Sequence, residues 1–378
     1  MRNKALKKRD RTIEIFISLM RAGLWEKSIR LSPDEAIDFT KIYALSDEQS
    51  VIGLVAAGFE FVEDRVFQKM DVLPFMQIIC GVEIENQAMN VFIGKLFNKL
   101  RKSGVNALLL KGQGVAQCYS RPLWRLSGDV DLLLDDDNYS KAKDVLLPLA
   151  KARDVELMEE KHLGINIGSW VVELHGTLRT KLFPRVDKEL DAIQKEVFHK
   201  GEAFVWTYDG RDILLPSPDT HVVIVFTHIL QHLFNGGIGL RQVCDWCRLL
   251  WTHASGMDLG LLERRIAALG VMTEWKAFAS LAVNQLGMPA EAMPMYSPEA
   301  RWNRKGRHIL SFILKMGRGG FNKDESYYEK YPYFVRKLIS FWYRTTDVFR
   351  LIHIFPLDSL RHYSATIIRG VKAVLKGK

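Results

Sequence analysis

Apolar residues in the first hundred positions recur at intervals of three and four. Ile13, Phe16, Leu19 and Met20 mark one face of a helix predicted over Thr12–Leu24, and Val91, Phe92, Leu96 and Leu100 mark another over Val91–Leu100. That spacing stacks side chains along one side of a 3.6-residue turn. Between them, Ser46–Phe61 reads as a helix with Ser46 as its N-cap, because a serine oxygen there accepts from a free first-turn N–H. At Gly104 the period changes. Val105–Leu110 is a short unbroken apolar run that stops at Lys111-Gly112-Gln113-Gly114, the mark of a buried strand and its turn. A helical stretch follows to Tyr119, and Asp129–Leu134 reads as a second strand. Asp135-Asp136-Asp137 then caps a helix predicted over Asn138–Ala150, where acidic groups meet the free N–H groups and the positive end of the dipole. Val155–Met158, Leu163–Ile167 and Trp170–Leu174 read as three more strands with tight connections. Pro216 and Pro218 punctuate the exit, and from Asp219 the chain turns helical again, beginning with Val222–Leu233.

Strand, helix, strand, helix and then a run of strands predicts an α+β fold, a small mixed sheet with helices largely on one face. A helical N-terminal region (1–95) and a helical C-terminal region (216–378) flank this core (96–215). Composition agrees with a globular chain: of 378 residues, 48% are hydrophobic and 26% charged. No apolar run approaches the ~18 residues that span a bilayer. The basic start, Met1–Asp10, is followed by a stretch that contains Glu14 and has no small-residue cleavage site, so a soluble, cytoplasmic protein is expected. The four cysteines make no disulfide framework. Cys244 and Cys247 form a C-x-x-C within a helical pattern, but Cys80 and Cys118 supply no second pair for zinc. No thioredoxin-like strand precedes the motif, so it reads as two buried thiols. The net charge is +9, and Tyr331–Lys378 carries nine Lys or Arg against Asp347 and Asp358. Such a tail is either a solvated helix face or a contact for nucleic acid or an anionic surface. Phe341, Trp342, Tyr343 and Phe349 within it read equally as a core stripe.

Chemistry concentrates at Asp129-Val130-Asp131. Residues i and i+2 of a strand share a face, so both carboxylates project side by side while Val130 and Leu132 face the core. Like charges that close repel unless a cation sits between them, and magnesium is the usual oxygen-seeking answer. The Gly-rich turn at Lys111–Gly114 lies upstream, where backbone N–H groups can meet phosphate. Arg125 offers a guanidinium suited to bidentate phosphate binding. Glu173 lies inside the apolar strand Trp170-Val171-Val172-Glu173-Leu174-His175, a costly place for an acid unless something compensates it. His175 alternates onto the same face as Glu173 and either supports it or contacts phosphate. His228 and His232 sit four apart, with His221 earlier on the same predicted helix. They read as half a zinc site, as residues lining a substrate cleft, or as core histidines. Position 229 is Ile, so the H-E-x-x-H protease motif is absent. Arg241 and Asp245 follow at the spacing of an ordinary i,i+4 pair.

The runs Leu109-Leu110-Lys111-Gly112, Arg125-Leu126-Ser127-Gly128-Asp129-Val130-Asp131-Leu132-Leu133 and Glu173-Leu174-His175 resemble a poorly characterised nucleotidyltransferase family with L-K-G, R-x-x-G-D-x-D-L-L and E-L-H motifs. That family is similar to the wider DNA polymerase β-like nucleotidyltransferase superfamily. Weaker similarity continues through Leu214–Asp219, His228, His232 and Asp245. The resemblance implies a two-metal transfer of a nucleoside monophosphate from a nucleoside triphosphate to an unknown hydroxyl or amine acceptor. Asp129, Asp131 and Glu173 would hold magnesium or manganese, with Glu173 also orienting or deprotonating the attacking group. Lys111, Gly112, Gln113, Arg125, Ser127, Gly128 and His175 would bind the nucleotide. The superfamily usually has Gly-Ser at the first turn, whereas this chain has Gly112-Gln113 and lacks the hydroxyl that grips the triphosphate. A catalytically silent nucleotide- or partner-binding protein on the same fold is the alternative.

Overall fold

The computed structural model describes residues 2–32, 36–158, 160–235, 237–317 and 351–375, with a few single positions between 331 and 349. Three helices open the chain: α1 (Arg2–Trp25), α2 (Phe39–Glu48) and α3 (Ile52–Gly58). The single helix expected over Ser46–Phe61 is thus divided. Ser50 adopts a positive φ of 56°, which ends the right-handed helix, so Ser46 lies inside α2 rather than at a cap. Its Oγ donates back to Ile42 O at 2.6 Å, the usual behaviour of a mid-helix serine. The following helix, α4 (Lys69–Lys102), is 34 residues long and contains the predicted Val91–Leu100 segment in its last turns.

Next come β1 (Leu108–Leu109), the short helix α5 (Gln113–Ala116), β2 (Asp129–Leu133) and α6 (Asp136–Leu146). Asp135 caps α6 by accepting from Asn138 N at 2.8 Å, as the acidic run led one to expect. The sheet is completed by β3 (Ala152–Arg153), β4 (His162–Ile167) and β5 (Trp170–His175), in the order β1-β2-β5-β4-β3. The β2–β5 pair is parallel and the others antiparallel. The strand expected over Val155–Met158 lies earlier, at β3, because β4 pairs there through Ile165 and Asn166.

Two features have no counterpart in the sequence reading: α7 (Pro184–Lys200) and the hairpin of β6 (Ala203–Tyr208) with β7 (Arg211–Pro216). Helices α8 (Pro218–Asn235), α9 (Leu240–Thr252), α10 (Leu259–Leu269), α11 (Met272–Ser280), α12 (Ala300–Met316) and α13 (Pro356–Leu375) follow. The architecture is α+β.

The sheet separates two apolar clusters. Val130, Leu132, Leu163, Ile165, Val172 and Leu174 pack with Ile93, Leu96 and Phe97 of α4 and with Ala142 and Leu146 of α6. The larger cluster joins α1 and α3 to α8, α9, α11 and α12 and takes only Leu108 and Leu133 from the named strands of the sheet. Among the described residues no helix is long and apolar enough to cross a membrane. Cys244 and Cys247 are free, buried thiols of α9, as read from their helical setting. Of the aromatic residues in the basic tail, Trp342 and Phe349 are exposed, while Phe341 and Tyr343 lie outside the described residues.

Candidate active site

One face of the sheet is hydrophobic and covered by α4 and α6; the other carries the ionisable groups. Asp129, Asp131 and Leu133 of β2 stand opposite Val171, Glu173 and His175 of β5, so Asp131 and Glu173 are direct neighbours. On the other side of β5, His162 of β4 stands opposite His175 and Gly164 opposite Glu173. One donor atom each from Asp129, Asp131 and Glu173 lies within 4.8 Å of the others, and so does a second set from His162, Glu173 and His175.

Asp131 is 1% exposed, and its two oxygens are treated differently. Oδ1 receives His175 Nε2 at 2.8 Å and Lys111 Nζ at 3.0 Å. Oδ2 is buried and has no hydrogen-bond partner among the described residues. Burial alone would push this carboxyl up, but the Lys111 ammonium and the His175 hydrogen bond outweigh it and hold the group far below the usual carboxylate range. Lys111 is raised in turn: burial opposes its charge, yet Asp131, with Asp129 and Glu173, more than offsets it. Asp129 lies at the more open end of β2, and burial, with the neighbouring Asp131 charge, raises it. Glu173 accepts from His162 Nε2 at 3.2 Å and lies 3.4 Å from His175 Nε2; these bonds lower it to about 2. Burial disfavours charge on His175, but its bonds to Asp131 and Glu173 raise it on balance.

The turn that delivers Lys111 depends on a glycine. Gly112 has φ +61° and ψ −122°, and a Cβ there would meet the Asp129 carbonyl at 3.2 Å. The strand before it is fixed from the other side: His221 of α8 donates through Nε2 to Leu110 O at 2.5 Å. Burial lowers that histidine to about 4, so it stays neutral and keeps the bond at physiological pH.

His228 and His232 come to the same region on the face of α8. Both feel the charges of Lys111 and Asp131, and burial lowers both below the ordinary histidine value. His232 Nδ1 donates to Gly237 O at 2.8 Å, and the two Nε2 atoms are 2.9 Å apart. With both rings neutral, this chain fixes the tautomers: His232 Nε2 accepts from the Nε2–H of His228, leaving His228 Nδ1 with a lone pair.

Other predicted positions serve different contacts. Arg125 is buried and forks onto Asp245 of α9, Nε to Oδ1 and Nη2 to Oδ2, both at 2.7 Å. Its Nη1 donates to Ser127 Oγ at 2.7 Å, and Tyr119 donates to the same Asp245 at 2.8 Å. Burial works against the guanidinium charge, but Asp245 raises Arg125 well above its ordinary value. The Gln113 amide donates to Asn86 of α4 at 2.5 Å. A Cβ on Gly128 would meet nothing within 4 Å. The expected Arg241–Asp245 helix pair does not form, because the fork from Arg125 takes both carboxylate oxygens. Arg241 instead donates to Leu126 O at 2.8 Å, keeps a buried Nε without a partner among the described residues, and acts electrostatically on Asp129. Two residues of the site had no such role in the sequence reading: Arg241, taken as half of a helix pair, and His162, left unassigned. For His162 a signal existed: the two-residue turn Gly168-Ser169 sets the register that places it opposite His175.

The sequence profile of a family described as uncharacterised nucleotidyltransferase matches residues 35–287, more than half of the chain. Searches of curated proteins and of solved structures give no match.

Proposed function

The chain belongs to this nucleotidyltransferase family, and we propose that it moves a nucleoside monophosphate from a nucleoside triphosphate to a hydroxyl or amine acceptor at the face built by Asp129, Asp131 and Glu173. The observation that carries this reading is the meeting of three carboxylates within 4.8 Å, one of them with a buried Oδ2 that has no partner among the described residues. An all-oxygen set with an orphaned lone pair fits magnesium or manganese. When bound there, such an ion supplies charge neutralisation on the transferring phosphate and its leaving group.

The protein's own residues supply the rest. Lys111, carried on the glycine turn, brings a fixed cation to the carboxylates and takes the gripping role of the missing hydroxyl. Arg241 adds a second cation beside Asp129. Glu173, lowered to about 2, is a weak base at neutral pH and suits holding a cation more than taking a proton. His228 is the alternative proton acceptor: burial keeps its ring neutral, and its Nδ1 presents a lone pair while His232 and the Gly237 carbonyl fix its tautomer. The bond that forms joins the acceptor oxygen or nitrogen to the α-phosphorus. The bond to the bridging oxygen breaks, pyrophosphate leaves with its electron pair, and the acceptor proton passes to His228.

Titration calorimetry with each of the four common ribonucleoside triphosphates, with and without magnesium, tests this on the wild type and Asp129→Asn. The expected result is one triphosphate that binds only with magnesium and binds at least about tenfold more weakly to the variant. Absence of magnesium-dependent binding by all four would overturn the reading. A catalytically silent nucleotide- or partner-binding protein is favoured by one observation, that Lys111 and His175 already neutralise Asp131. Binding that ignores both magnesium and Asp129→Asn would favour that alternative.

A further inference from the structure

We propose that His162, Glu173 and His175 form a second cation site that takes a transition metal such as zinc in preference to magnesium. It adjoins the carboxylate trio and shares Glu173 with it, but its occupation does not depend on which nucleotide is used.

The β4–β5 hairpin creates the set. His162 and His175 are register partners, and Glu173 lies two residues before His175 on the same face. Gly164, opposite Glu173, puts no side chain between the histidines and their carboxylate. His162 Nε2 and His175 Nε2 lie 3.2 and 3.4 Å from the same oxygen, Glu173 Oε2. A tetrahedral ion with ligand bonds of roughly 2.0–2.1 Å has ligand–ligand edges of about 3.3 Å, so both nitrogen-to-carboxylate edges already match it, and the third donor pair lies within 4.8 Å. Two imidazoles and one carboxylate also leave one position open, the pattern of zinc sites that bind water or substrate.

Donor type decides between ions. Magnesium takes oxygen ligands and seldom imidazole, whereas imidazole nitrogen suits zinc, cobalt, nickel and copper. The site is reachable, since the side chains of His162, His175 and Glu173 are 31%, 20% and 29% exposed. Without an ion, the same nitrogens donate hydrogen bonds to Glu173 and Asp131. A network built only for that purpose would have no appreciable metal affinity.

The full-length chain, stripped with a chelator, is titrated with Co2+ and followed by visible absorption, then challenged with Zn2+ and separately with excess Mg2+. One Co2+ per chain is expected, with ligand-field bands of four- or five-coordinate cobalt and no thiolate charge-transfer band. Zinc should displace it and magnesium should not. Affinity should fall at least about tenfold in His162→Ala, His162→Gln and His175→Ala, and remain in Asp129→Asn and His228→Ala. Circular dichroism checks folding, and the partly exposed His162→Gln keeps the test open if the alanine variants unfold. No cobalt binding by folded wild type, binding unchanged by His162→Gln, or equal displacement by magnesium would each overturn the proposal. Because the probe is the metal alone, failure here leaves the nucleotide reading untouched, and failure of nucleotide binding leaves this one standing.

Discussion

At the scale of single residues, the most demanding group is Asp131. A carboxylate this deeply buried persists only with compensation, and Lys111 and His175 supply it. Replacing Lys111 with Met should therefore cost about 3–5 kcal/mol, the usual penalty for stranding one partner of a buried pair, read as a lowered urea midpoint. Saturating magnesium should restore part of that loss in Lys111→Met and change the wild type less, since only the variant lacks a fixed cation at Asp131. No magnesium effect on the variant would count against a cation site there. Gly112 makes a second demand. Its φ of +61° and the 3.2 Å approach of any Cβ to the Asp129 carbonyl predict that Gly112→Ala loses about 1–3 kcal/mol. The same change should weaken nucleotide binding, because Lys111 rides on that turn. An unchanged melting temperature would show that the turn tolerates a side chain.

At the scale of elements, the site is a product of register. Period-two reading of β2 was enough to pair Asp129 with Asp131, and alternation along β5 was enough to pair Glu173 with His175, because a strand's faces are written in its own sequence. The parallel β2–β5 alignment that joins the pairs was not legible, since a crossover connection sets no register locally. The β4–β5 register was legible in principle, through the Gly168-Ser169 turn. Helix α7 was legible too, with Val186, Leu190, Ile193 and Val197 buried at helical spacing and Pro184 and Gly201 at its ends. The link from Arg125 to Asp245 of α9 was beyond local reading, because 120 residues separate the partners. That link distinguishes two roles for Arg125. As an anchor of the Arg125–Gly128 loop, its replacement by Met should cost about 3–5 kcal/mol of stability. A phosphate ligand would instead lose nucleotide affinity with the urea midpoint unchanged. Helix α9 yields a further expectation. Burial pushes the thiols of Cys244 and Cys247 upward, and that of Cys118 to about 11, while Cys80 is exposed. A disulfide-exchange reagent at pH 8 should thus label Cys80 rapidly and the other three only after denaturation. Fast native labelling of Cys244 or Cys247 would reopen a redox or metal role for the C-x-x-C.

At the scale of the whole molecule, the face that bears the site looks toward a helical body assembled from both ends of the chain. Leu351, Ile354 and Phe355, just before α13, are buried in the same cluster as Phe16 and Leu19 of α1. Lys305 of α12 donates to the Ile354 carbonyl, and Glu274 of α11 stands beside Asp358 of α13. That junction should respond to pH. Burial, and then the neighbouring Asp358, push Glu274 well above the ordinary carboxylate value of 4.5, so the folded protein favours the protonated acid. A group raised on folding contributes its stability in full below its unfolded value and loses it as pH rises through the folded one. Stability from this contact should therefore decline as pH rises above about 4.5, even as other carboxylates gain. Glu274→Gln keeps a neutral group of the same shape at every pH. Its melting temperature should match the wild type near pH 4.5 and exceed it by a growing margin toward pH 8, measured by scanning calorimetry in buffers of constant ionic strength. A margin that does not change with pH would mean that Glu274 is ionised in the fold and that Lys305 balances it. In that case Lys305→Met would be the damaging substitution at pH 8, and the docking of α13 would rest on that charge pair.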